Sequence, residues 1–148
     1  MKILMAFIVA LVVGMWIERV TAPKSGAPLD AIKIKNVVRE FYKVRDAANM
    51  EAYNNDFNTT TINADTTEAA SGMVKSGTDL ISSQNSNIKF TPAHGDAAGD
   101  KEVKVTITGL TNITNAESKV KSTIEANTDF SVTDTDATDG TLIITWEI

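Results

Sequence analysis

The 148 residues amount to one ordinary domain, of which 43% are hydrophobic, enough for a modest core with one apolar centre. Cysteine is absent, which excludes a disulfide framework, a thiolate metal site and a cysteine nucleophile, and the single histidine, His94, removes most zinc and acid–base schemes. The net charge of −5 conceals an asymmetry: residues 1–45 carry eight basic and three acidic groups, the remainder six basic and sixteen acidic. A basic start and an acidic body suggest either two kinds of partner or copies of the chain meeting one another.

The chain opens with fifteen residues, Ile3 to Ile17, free of charged or strongly polar side chains. Each large apolar side chain left in water costs about 1.5–3 kcal/mol, so this segment is expected to end in lipid or against other protein. As a helix it rises about 22 Å, short of the roughly 30 Å of a bilayer's hydrocarbon core, with Met1, Val20 and snorkelling by Lys2 and Arg19 extending it. Trp16 stands where an interfacial aromatic would, just before Glu18-Arg19, although an ordinary packed aromatic fits equally. A cleaved secretory signal is the competing reading, but the bonds after Ala22 and Ala27 are each followed by a proline, Pro23 or Pro28, which makes them poor substrates. From Glu18 to Leu29, Pro23, Gly26 and Pro28 predict a kink or an unwound link. The chain thus divides into an apolar helix with its link, 1–28, and a helix plus head, 29–148.

A second helix is expected from Asp30, as cap or first-turn acid, to about Tyr53. Ile34, Val37, Phe41, Val44 and Ala48 recur at spacings of three and four, flanked by Val38 and Tyr42, while Lys33, Lys35, Arg39, Lys43 and Arg45 fall mostly elsewhere. That basic face reads first as a solvated surface; it lacks the interleaved aromatics of a nucleic-acid groove. Asn54 to Thr67 reads as a surface loop with a glycosylation-type triplet at Asn58, a second such triplet lying at Asn112. A short helix follows, capped by Asp65 or Thr67 and stopped by Gly72. Asn87–Phe90 is a candidate strand, and Glu102–Thr108 is the clearest alternating one, with Val103, Val105 and Ile107 on one face. Thr114-Asn115-Ala116-Glu117 has the form of a capping box opening a helix with Val120 and Ile124 on one side. Phe130–Thr133 and Thr141–Trp146 read as two strands joined by an acidic turn ending in Asp139-Gly140. The expected fold is α+β, a long helix packed on a small antiparallel sheet.

Clustered carboxylates between Asp134 and Asp139 invite comparison with calcium loops, but the third acid is one place late and the twelfth position is Thr145 rather than glutamate, so a solvated hairpin turn fits better. His94-Gly95-Asp96 offers a His–Asp pair without a nucleophile in any recognisable motif. No enzyme activity, cofactor or metal is expected.

An apolar N-terminal helix containing Gly14, a proline soon after it at Pro23, an amphipathic continuation and an α+β head together resemble a type IV pilin. Ala69–Val74, the Val103–Gly109 strand, the helix after it and the late Thr141–Trp146 strand are ordered as in type IVb pilins of the conjugative and toxin-coregulated kind. The resemblance implies a filament subunit whose apolar helix rests in the inner membrane through residues 1–20 and, after handling by a pilus assembly machinery, forms the core of an extracellular homopolymer. Phe7, Leu11, Gly14, Trp16 and Pro23 are the candidate assembly residues of that segment. Met5 stands where the family generally carries a glutamate, the head lacks the family's disulfide, and Met1 would be the processed end of a longer precursor with a basic leader. That leader also bears on orientation, because Arg19, Lys24, Lys33, Lys35 and Arg39 follow the apolar run and only Lys2 precedes it. The charge asymmetry adds Lys33, Lys35, Arg39 and Lys43, with Lys35 and Arg39 foremost, as candidate contacts to a neighbouring copy's acidic head, including Glu117, Glu125 and the Asp134–Asp139 loop, with no specific nucleic-acid partner. The alternative is a single-span anchored binding protein with an acidic soluble head.

Overall fold

A computed structural model describes residues 27–148 apart from 98 and 100. The apolar run, the break expected near Pro23 and the candidate residues Phe7, Leu11, Gly14, Trp16 and Pro23 lie outside the described residues. Pro28, expected in the link, stands instead in the first turn of a 28-residue helix, α1, Ala27–Asn54. A first-turn proline sacrifices only an N–H that has no partner inside the helix, so the proline signal marked a helix start rather than a break. Asp30 is the acid of that turn, as expected.

The apolar stripe of α1 is buried as its spacing dictates: Ile34, Val37, Phe41, Val44, Ala48 and Ala52 all join the core. A loop leads to α2, Ala64–Ser71, which ends at Gly72 as expected but is capped by Asn63 rather than Asp65 or Thr67. The Asn63 side chain accepts from the Thr66 N–H at 3.1 Å while Thr66 Oγ1 accepts from the Asn63 N–H at 3.0 Å, closing a capping box with threonine in the glutamate's place.

Six antiparallel strands follow in the spatial order β1-β2-β3-β4-β6-β5. They are β1 Val74–Ser76, β2 Asp79–Ile81, β3 Lys89–His94, β4 Glu102–Thr108, β5 Ser131–Thr133 and β6 Leu142–Glu147. The β1–β2 hairpin has no counterpart in the sequence reading. The strand expected at 87–90 begins later and runs to His94, because Asn87 and Ile88 belong to a turn in which the Ile88 N–H donates to the Asn85 carbonyl at 2.9 Å. Pro92 lies inside β3, where β2 no longer pairs on the far side, its register with β3 covering only Phe90 and Lys89.

In β4 and β6 alternate residues, Val103, Val105, Ile107, Leu142, Ile144 and Trp146, turn to the core, and the intervening ones are half-buried or exposed. Helix α3, Ala116–Glu125, contributes Val120 and Ile124 to the same core. The expected α+β fold, a long helix on a small antiparallel sheet, is present. Phe41 sits among Tyr42, Phe130 and Trp146 in edge-to-face contacts with ring centroids 5.4–6.0 Å apart.

Candidate assembly surface

Burying the apolar stripe of α1 forces the helix's other face outward. Lys35, Arg39 and Lys43 are exposed there at intervals of four residues, roughly 6 Å apart along the axis. The Arg39 guanidinium donates to Asn36 Oδ1, and among the described residues none of the three cations makes an ion pair. Arg45 differs from them: it pairs with Asp46 at 2.7 Å, and its guanidinium lies 4.8 Å from the Tyr42 ring centroid. Leu29 and Ile32 at one end of α1, and Met50 and Tyr53 near the other, are each more than half exposed. Phe57 stacks edge-on to Tyr53 at 5.3 Å, in a chain reversal where Asp56 and Phe57 both take positive φ.

The acidic side lies on the head. Asp136 and Asp139 are exposed in the β5–β6 loop, and Glu125 is exposed at the end of α3. Two of the loop carboxylates brace the turn: Asp136 Oδ1 accepts from the Thr138 N–H at 3.0 Å and its hydroxyl at 2.7 Å, and Asp139 Oδ1 accepts from the Thr141 N–H at 2.8 Å. The hydrogen bonds from Thr138 hold the Asp136 carboxyl below its ordinary range. Among the described residues no group of three or more histidine or acidic side chains is arranged to hold a metal ion.

Two sequence expectations about side chains are corrected. The capping box at Thr114–Glu117 does not form: the cap position is Asn115, at φ 58° and without a side-chain bond, and Glu117 turns inward. Its Oε2 accepts from the Gly140 N–H at 2.8 Å, so Glu117 is buried rather than part of the acidic surface. The loop of β5–β6 outcompetes the helix end for that carboxylate. The His94–Asp96 pair is also absent: His94 Nδ1 lies 2.8 Å from the Gly95 carbonyl, and Asp96 takes the Lys104 ammonium at 3.1 Å.

One polar anchor went unread in the sequence. Glu40 is buried within the apolar stripe, where it accepts from the Ser82 hydroxyl and from the Ser83 N–H at 3.0 Å, fastening α1 to the β2–β3 loop. Its position between Val37 and Val44 was the available signal. Beside it a groove of about 500 Å³ is lined by Leu29, Ile32, Asn36, Asn87 and Ile113 among others. No described helix is long and apolar enough to cross a membrane.

No family model, curated protein or solved structure matches the chain.

Proposed function

We propose that this protein is a structural subunit of a filament of the type IV pilin kind, held in the inner membrane by its apolar N-terminal segment before assembly and exported as part of an extracellular homopolymer. The observation that carries the reading is the row Lys35, Arg39 and Lys43, exposed on α1 and without ion-pair partners among the described residues, in a chain whose head is strongly acidic. Cations left unpaired among the described residues of one copy can meet Asp136, Asp139 and Glu125 of the next. Exposed pairs contribute about 0–1 kcal/mol each and are screened beyond roughly 10 Å at ordinary salt, so they set register while the apolar segment supplies cohesion. Adhesion, mating contact and motility are all uses of such a filament.

Charge reversal tests this. Lys35→Glu with Arg39→Glu should impair assembly, lowering the number of filaments counted by electron microscopy of expressing cells, and adding Asp136→Lys with Asp139→Lys should partly restore them. Filaments that form equally well with the row reversed would remove the basis of the proposal. The groove beside α1 favours a second reading, an anchored protein that binds a ligand with its head; that reading predicts no filaments from any variant and a membrane-bound monomer.

A further inference from the structure

The β5–β6 loop crosses the start of α3 at backbone distance. Gly140 donates its N–H to Glu117 Oε2 at 2.8 Å and accepts from the Leu110 N–H at 3.1 Å. Gly140 has φ 72°, and a side chain there would run into the main chain of Thr111, so only glycine allows the approach. Glu117 is 8% exposed, and its second oxygen, Oε1, is buried without a donor among the described residues. Asp134, at the start of the loop, places its Oδ1 in the same condition and lies within hydrogen-bonding reach of Glu117. Two ionised carboxylates would leave both oxygens buried without a donor, a condition that one proton between the two side chains repairs.

We propose that Glu117 and Asp134 share a single proton, forming an acid–carboxylate bridge that ties the β5–β6 loop to α3 and frees the loop when the proton is lost to solvent. The groups facing Glu117 all act in one direction except Gly140. Burial is the largest influence and raises its proton affinity; Asp134 and Asp139 from the loop add negative charge, and the Gly140 N–H opposes them. The 3₁₀ turn Leu110–Asn112 packed beneath contributes no charged side chain. With Glu117 held above the ordinary 4.5 in the folded chain, the stability its proton contributes is present at mildly acidic pH and is lost as pH rises through the folded value. The device therefore governs presentation of the same loop whose exposed acids, Asp136 and Asp139, face outward.

The test is amide exchange over residues 134–141 in the full chain held in mild detergent, corrected for intrinsic rate. From about pH 4 to about pH 8, protection of the wild-type loop should fall by about tenfold or more while the β4 amides stay protected. Glu117→Gln and Asp134→Asn each supply an amide hydrogen in place of the shared proton, so either should hold the loop protected at every pH. Carbon-13 titration of the wild-type Glu117 carboxyl provides a readout that depends on no variant: it should titrate above the ordinary glutamate value. An ordinary midpoint for Glu117, a wild-type loop insensitive to pH, or loss of protection in both amide variants with β4 intact would overturn the bridge. Recovery of wild-type protection at high pH on adding millimolar calcium chloride alone would overturn it too, since a cation would then be the natural occupant.

Discussion

Glu40 shows how much one side chain can contribute when it is buried for a reason. It interrupts an otherwise apolar stripe, yet its two oxygens engage Ser82 and Ser83 more than forty residues away. Glu40→Ala should lower stability by about 1–3 kcal/mol, read from urea unfolding, because Ser82 and the Ser83 N–H lose their acceptor. The sequence shows the type and position of such a residue but not its partner, which the chain brings in from the β2–β3 loop. The same limit applies to Glu117: its spacing from Thr114 matches a helix cap, whereas the deciding bond comes from Gly140, and only the fold makes the two neighbours.

At the scale of elements, legibility followed length and period. Helix α1, β4 and β6 carry enough apolar positions at regular spacing to be read directly, and β4 coincides with its expected span, Glu102–Thr108. The β1–β2 hairpin consists of two three-residue strands around Gly77-Thr78, too short for alternation to show. The start of α1 was misplaced because a proline breaks a helix interior but suits a first turn. The packing of α1 on the sheet converges at Phe41, fully buried against Phe130 and Trp146. Phe41→Ala should therefore cost about 3–5 kcal/mol in a chemical unfolding series. A loss well below that range would mean that α1 is not held to the sheet by this cluster.

For the whole molecule, the core of the described residues runs from Ile34 to Trp146. Deleting residues 1–26 should leave a folded monomer that unfolds in one cooperative step, measured by sedimentation and circular dichroism; a truncated chain that still formed filaments would show that the head, not the apolar segment, drives assembly. The charge pattern was legible as a count, but which charges are spent within one copy was not. Arg45 and Asp96 are paired internally, while Lys35, Arg39 and Lys43 make no such pair among the described residues.

The sheet ends on both sides in strands of only three residues, β1 and β5. An outermost strand that short offers a second chain few unsatisfied main-chain groups, and β1 adds the charge of Lys75 in its middle. Open-ended cross-β growth, the usual hazard when many copies of a sheet protein crowd together at high local concentration, is thereby starved of a template. Molecules of this kind can be packed densely in an ordered array while the cohesion between them stays with side chains and can be undone without unravelling the fold.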